Sequence, residues 1–168
     1  MTGSAELRTR LKKVRLLSLD VDGVLTDGGI YFTDAGDELR KFNVKDGLGI
    51  QRAQKAGVIV VMVTSSVSPA IGHRGKALGV DHIFLDTRDK LDRIVRLCDA
   101  LKIDLDEVAH VGDDLVDLAL LGAVGCPLTV GDAVEEVKAK ALYVAVKKGG
   151  EGAVREICDL LVAAKQER

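Results

Sequence analysis

The chain has 168 residues, 24 Lys+Arg against 26 Asp+Glu, 47% hydrophobic residues, 3% aromatics and no tryptophan. A folded chain of that length buries roughly 70% of the surface exposed when unfolded, so one domain over residues 1–168 is expected, with no need of disulfides or a structural metal. The near-neutral charge and scarce rings argue against nucleic acid as a partner, and the scattered Cys98, Cys126 and Cys158 suit neither a disulfide framework nor a zinc site.

Residues 1–13 read as a polar N-terminal arm without the apolar stretch of a signal peptide. The longest strongly apolar run, Val58 to Val63, is too short to span a bilayer, so a soluble, cytoplasmic protein without membrane partners is expected. Beyond the arm, short apolar runs alternate with helical spacing. The runs are Val14 to Leu19, Val58 to Val63, Val80 to Leu85, Val108 to Val111, Gly125 to Val130 and Ala141 to Val146. Helical spacing recurs at Ile50, Ala53 and Ala56, at Leu91, Ile94, Val95, Cys98 and Leu101, at Leu115, Leu118 and Ala119, and at Val154, Ile157, Cys158 and Leu161. Gly57, Gly79 and Gly122 fall where helices should end, and Ser68-Pro69 reads as an N-cap followed by proline at the first helical position.

Strands apolar on both faces, separated by helices, predict an α/β fold: a Rossmann-like three-layer sandwich around a mostly parallel sheet. One segment breaks the alternation. Residues 29–42 read as a β-hairpin, GIYF and DELRKF around the turn Thr33-Asp34-Ala35-Gly36, too small to be a domain. No internal repeat or interdomain linker is evident.

Parallel sheets bind ligands at the carboxyl ends of their strands. The first strand runs into Asp20-Val21-Asp22-Gly23, the second into Thr64-Ser65-Ser66, and the fourth into Gly112-Asp113-Asp114-Leu115-Val116-Asp117. Asp20 and Asp22 can face one pocket, where their repulsion would be relieved by a hard divalent cation. Mg²⁺ fits, being held by one or two carboxylates together with water and substrate phosphate, and Asp113 could supply a further ligand. Each aspartate taken singly reads as a cap or turn residue; a DxDG and a GDDxxD at two strand ends together do not.

DVDGVLTDG, Thr64 after the second strand, Lys90 before a helix and GDDLVD, in that order, resemble the four motifs of the haloacid dehalogenase superfamily of phosphatases. FNVKDGLGI, the hairpin in place of a large cap, and GGEGAVREICDLL narrow the resemblance to the 3-deoxy-D-manno-octulosonate 8-phosphate phosphatase family, from about Val14 to Leu161. The resemblance implies an Mg²⁺-dependent sugar-phosphate phosphatase. Asp20 would be the nucleophile of an aspartyl-phosphate and Asp22 the acid and base, its main-chain carbonyl joining Asp20 and Asp113 on the metal. Thr64 would bind a phosphoryl oxygen, Lys90 would stand beside the transferring group, and Asp114 and Asp117 would orient the metal and its waters. Lys45, Asp46 and Gly47 would line the sugar pocket together with Ser65, although Asp46 also reads as the cap of a helix from Gly47 to Ala56. Hairpins of this family associate into a tetramer that covers each site, so a homotetramer burying Ile30, Tyr31 and Phe32 is expected.

Two features depart from the family. Its second motif commonly runs Thr-Gly-Arg, whereas Thr64-Ser65-Ser66 stands here, and a lost charge-assisted contact costs about 1.5 to 3 kcal/mol. Residues Ala164 to Arg168 also lack the longer tail that some relatives fold over a neighbouring site. Both leave the substrate open between 3-deoxy-octulosonate 8-phosphate and nine-carbon keto-acid 9-phosphates such as those of deaminoneuraminate or N-acetylneuraminate. A non-catalytic tetramerising module is the reading from another class. The histidines His73, His82 and His110 have no metal-ligand spacing and read as core or surface residues, and Cys98 and Cys158 read as core.

Overall fold

The protein is described by a computed structural model covering residues 2–166; Met1 of the expected arm, and Glu167 and Arg168 of the short tail, lie outside the described residues. Helix α1 spans Thr2–Lys13, and strand β1 Leu16–Leu19 leads to the hairpin strands β2 Tyr31–Phe32 and β3 Glu38–Leu39. Then follow α2 Val44–Lys55, β4 Ile59–Val63, α3 Pro69–Ala77, β5 His82–Phe84, α4 Lys90–Leu101 and β6 Val108–Gly112. After a 3₁₀ turn at Leu115–Asp117 come α5 Leu118–Ala123, β7 Cys126–Thr129, α6 Glu135–Lys140, β8 Tyr143–Val144 and α7 Ala153–Gln166.

Six strands form one sheet in the order β5-β4-β1-β6-β7-β8, every neighbouring pair parallel, and β2 and β3 form a separate antiparallel ribbon. Counted along the large sheet alone, this is the 3-2-1-4-5-6 order of a doubly wound fold, with its switch point between β1 and β6. All four residues of β1 are buried, as a central strand covered on both faces requires. Leu17 and Leu19 join the core beneath α1, α2, α3 and α7, while Leu16 faces the opposite core with Ile94 and Leu97 of α4 and Leu120 of α5. Three layers result, as the alternation of runs predicts.

The main correction concerns the N-terminus. The expected polar arm is helix α1, because Leu7 and Leu11, four residues apart, form a narrow apolar stripe buried in the core. Arg10 fastens it by donating from Nη1 to the carbonyl of Gly125 at 2.7 Å. Helix α2 begins at Val44 rather than Gly47, and its cap is Asn43, whose side chain accepts from the Lys45 amide at 2.8 Å. Asp46 therefore does not cap it. Ser68 and Pro69 do stand at the start of α3, but without a side-chain cap bond from Ser68. Gly57 and Gly79 take the positive φ of helix-terminating residues, whereas Gly122 lies inside α5. The strand expected along DELRKF is paired only at Glu38 and Leu39, with one further bridge between Thr26 and Phe42. All three cysteines are buried and free.

Leu11 is 3% exposed, so Leu11→Ala should lower unfolding stability by about 2 to 4 kcal/mol in a urea titration, against about 0.5 kcal/mol or less for the exposed Thr9→Ala. Equal small effects would show that α1 does not belong to the cooperative core.

Candidate active site

The sheet order sets the carboxyl ends of β4, β1 and β6 side by side. Asp20 follows β1, Thr64 follows β4 and Asp113 follows β6, each one residue beyond its strand. Asp20 is 5% exposed; its Oδ1 accepts from the Val21 amide at 2.7 Å, and its Oδ2 lies 2.7 Å from Lys90 Nζ. Lys90 opens α4, where the cap Asp89 accepts from the Asp92 amide, and its buried ammonium also donates to Asp117 Oδ1 at 2.7 Å. Burial works against that ammonium, yet Asp20 and Asp117 outweigh it and hold its pKa above the ordinary lysine value.

Asp117 is saturated with donors. Oδ1 accepts from Lys90 and, at 3.1 Å, from His110 Nε2, while Oδ2 accepts from the amides of Asp113 at 3.1 Å and Asp114 at 3.4 Å. Burial pushes its pKa up, but His110 and Lys90 prevail and keep it below the usual carboxylate range. A carboxylate only accepts, so His110 carries its proton on Nε2 and leaves Nδ1, 3.1 Å from Ser18 Oγ, as an acceptor for the hydroxyl. Burial depresses the His110 pKa, and the ring is neutral. Ser18 and His110 are cross-strand partners of β1 and β6, which explains how a core histidine comes to brace the acid at the strand ends.

One ligand oxygen from each of Asp20, Asp113 and Asp117 falls within a 4.8 Å group. The Asp22 carboxylate stands apart from it. Arg40, just beyond β3, reaches back from the hairpin with Nε 2.6 Å from Asp22 Oδ1 and Nη2 3.4 Å from Oδ2. Nη2 also donates to Ser66 Oγ at 2.9 Å, and Nη1 pairs with Glu38. Sequence reading missed Arg40: it is one of several charges in DELRKF, and only the folded hairpin shows which one turns inward.

Thr64 is buried with its Oγ accepting from the Ser66 amide at 3.1 Å, which leaves the hydroxyl hydrogen for another acceptor. Ser65 and Lys45 are exposed, and so is Asp114, whose carboxylate accepts from the Leu115 amide. Asp46 is 1% exposed and its Oδ1 accepts from the Arg155 amide at 2.8 Å in the first turn of α7, so its carboxylate ties α2 to α7 instead of lining an open pocket. Gly47 is buried where a Cβ would meet the Arg74 guanidinium. At Gly23, φ is +82° and a Cβ would strike Asp113 Oδ2, so only glycine lets the two strand-end loops meet. A cavity of about 440 Å³ bounded by Gln54, Gly57 and Asp81 lies at the amino ends of β4 and β5 and contains none of these acids.

Residues 80–157 match the haloacid dehalogenase-like hydrolase family. The 3-deoxy-D-manno-octulosonate 8-phosphate phosphatase of Escherichia coli K12 is 41% identical over 162 residues, 96% of this chain and 86% of its own. The chain belongs to that phosphatase family. The crystal structure of 3-deoxy-D-manno-octulosonate 8-phosphate phosphatase from Yersinia pestis superposes with a TM-score of 0.94 at 38% identity, covering 96% of this chain and 88% of the other. The corresponding enzyme of Moraxella catarrhalis, in complex with a magnesium ion, a phosphate ion and a KDO molecule, gives 0.93 at 38% identity over 95% of this chain and 92% of that one.

The family's divalent cation fits the residues present. Burial first, then repulsion from Asp117, pushes Asp20 up to about 8 despite Lys90; burial, Asp117 and Asp114 push Asp113 up to about 7. These are carboxylates short of positive charge, the condition an oxygen-ligated Mg²⁺ relieves. Both folded pKa values lie above the unfolded value of 3.8, so the stability they contribute is present below that value and is lost as pH rises through about 7 to 8. The lowered Asp117 acts in the opposite sense and only in acid, its contribution being lost as pH falls below 3.8. The Tm of cation-free protein should therefore fall between about pH 6 and about pH 9, and one fixed Mg²⁺ concentration should raise it more at the higher pH; where that concentration is roughly 100-fold the Kd, the added stability is about 2.7 kcal/mol. Protection by Mg²⁺ that is equal at both pH values would place the cation away from these acids.

Proposed function

We propose that this chain is an Mg²⁺-dependent phosphatase that releases inorganic phosphate from 3-deoxy-D-manno-octulosonate 8-phosphate, through an aspartyl-phosphate on Asp20, with residues 1–168 acting as one catalytic domain. The observation that carries the reading is the buried Asp20 carboxylate at the β1–β6 switch point, its Oδ2 2.7 Å from Lys90 Nζ and its neighbours the acids of a second strand end. The identity of 41% to a phosphatase of that name over 96% of the chain supports the substrate.

Asp20 attacks phosphorus in line, forming the P–O bond to its carboxylate as the bond to the sugar oxygen breaks; a proton from Asp22 goes to that oxygen, and the alcohol leaves. In the second half, Asp22 takes a proton from water as the water oxygen bonds to phosphorus, and the bond to Asp20 breaks to give inorganic phosphate and the free carboxylate. Mg²⁺ held by Asp20, Asp113 and the main-chain carbonyl of Asp22 would supply positive charge to the phosphoryl oxygens. Lys90 adds a fixed ammonium beside the nucleophile, and the free Thr64 hydroxyl hydrogen is positioned to bind a phosphoryl oxygen. Asp117 orients: its four accepted hydrogen bonds leave it no lone pair for a metal without losing one of them. Asp114 belongs to the surrounding shell, and the exposed Lys45 and Ser65 are the remaining candidates for contact with the sugar, Gly47 being buried against Arg74 and Leu78.

Phosphate release from this ester with Mg²⁺ should be abolished by chelation and reduced at least about 1000-fold in Asp20→Asn, with a radiolabelled or mass-shifted acyl-phosphate trapped only on the native chain. Turnover of nine-carbon 9-phosphates but not of this ester would reassign the substrate; no turnover of any ester above that of Asp20→Asn would leave a structural module.

The hairpin exposes Ile30, Tyr31, Phe32 and Leu39, each more than half exposed, a density of apolar surface that an isolated ribbon of two-residue strands cannot cover. We propose that it is the contact of a homotetramer. Sedimentation should give four-chain mass for the native protein and a smaller species for Phe32→Glu; a native monomer at micromolar concentration would rule the assembly out.

A further inference from the structure

We propose that Arg40 is a positioning residue for the acid–base carboxylate Asp22, an inference that rests on the reading of Asp22 given above. Among the described residues, Arg40 joins three parts of the chain that the sheet alone leaves separate. Its Nε and Nη2 straddle the two oxygens of Asp22 in the loop after β1, Nη2 also reaches Ser66 in the loop after β4, and Nη1 is held by Glu38 of the hairpin. The Arg40 side chain is only 3% exposed, whereas that of Asp22 is 33% exposed. A part-exposed aspartate in a loop samples several rotamers; a guanidinium whose Nε holds Oδ1 at 2.6 Å selects one, and Oδ2, 3.4 Å from Nη2, is the oxygen left to carry the proton.

The acceptor on the β4 side is shaped for this contact. Ser66 Oγ accepts from the Ser68 amide at 3.2 Å, and the Ser66 amide donates to Thr64 Oγ, so the loop presents the serine oxygen from a fixed backbone. Position 66 is where the resembling motif carries an arginine. Here a guanidinium arrives at the same place from the hairpin, and a small side chain at 66 leaves room for it. Arg40 therefore anchors the Asp22 carboxylate of the β1 loop to Ser66 of the β4 loop, while Thr64 keeps its own main-chain bonds to Phe84 and Thr87. A displacement of about 1 Å at a reacting group costs roughly 100-fold in rate.

Leaving-group dependence separates this role from two others. In the full chain, kcat and KM are measured for Arg40→Gln and Arg40→Lys on p-nitrophenyl phosphate, whose leaving anion needs no proton, on glycerol 3-phosphate, whose alkoxide does, and on the octulosonate 8-phosphate. The expected result is a fall of about 100-fold in kcat/KM for both alkyl esters, with less than about threefold change in kcat/KM on p-nitrophenyl phosphate, whose first transfer needs no proton and which also reports that the variant is folded; any fall in kcat on that ester comes only through the shared hydrolysis of the aspartyl-phosphate. Arg40→Lys, with one contact point in place of two, should recover part of the loss. Arg40→Gln placed in an Asp22→Asn background should cost nothing further. Equal loss on all three esters, a full additional loss in the Asp22→Asn background, or no loss at all would overturn the proposal. So would a rise in KM confined to the carboxylate-bearing ester, which would make Arg40 a substrate-binding residue. Asp20→Asn, run on p-nitrophenyl phosphate, reads the phosphatase assignment itself, so failure of that assignment is distinguishable from failure of the role of Arg40.

Discussion

Lys90 is the buried cation on which the acidic strand ends depend. The loops after β1 and β6 bring Asp20, Asp113 and Asp117 within a few ångströms, and burial of that much negative charge is costly without compensation. One ammonium at the start of α4, 2.7 Å from each of two carboxylates, provides the fixed part of it. Its effect is divided unequally. Asp117 has Lys90, His110 and two amides and stays ionised, while Asp20 has Lys90 and a single amide and is left reluctant to ionise. With three carboxylates against one ammonium the cluster is built two positive charges short, and the shortfall falls on Asp20 and Asp113 at the β1–β6 switch point.

The core continues this arrangement inward. Ser18 and His110 occupy facing positions on the α4–α5 side of the sheet, where Leu16, Val61 and Val108 are otherwise apolar. A polar pair in such a core is tolerated when all its hydrogen bonds are made, and the chain Ser18–His110–Asp117–Lys90 makes them. The rotamer of Asp117, and through it the position of Lys90, is thus set from beneath by the sheet. The second set of constraints comes from the glycines: at Gly23 the chain turns with positive φ directly against Asp113, so the β1 and β6 loops are mutually seated.

Much of this was legible in the sequence because it depends on strand ends. Apolar runs locate the strands, and in a parallel α/β sheet their carboxyl ends converge, so Asp20, Thr64 and Asp113 can be associated without coordinates. Features set by side-chain direction in irregular segments were not legible. Asp46 reads as a helix cap beside a pocket, yet Asn43 caps α2 and Asp46 turns inward to the first turn of α7; a start three residues earlier puts Asp46 inside the first turn of the helix. The N-terminal helix was hidden because its buried stripe consists of only two leucines among basic and small polar residues. His110 looked like an ordinary core histidine, and only the register of β1 against β6 shows that it holds Asp117.

The hairpin is a small ribbon between β1 and α2 that reaches the strand-end loops. Its apolar residues point outward, and one arginine points in, fastened to an acid of the β1 loop and a serine of the β4 loop. A contact of that kind makes the position of the ribbon matter to the strand-end loops. Packing against the outer face would hold the ribbon, and through Arg40 the Asp22 carboxylate and its tie to Ser66. An arginine within the β4 loop would have been tied to that loop alone. Delivered from the hairpin, the same guanidinium chemistry couples the orientation of the Asp22 carboxylate to whatever surface the ribbon packs against, so that loss of packing on the outer face would be felt at the acid without any change in the sheet.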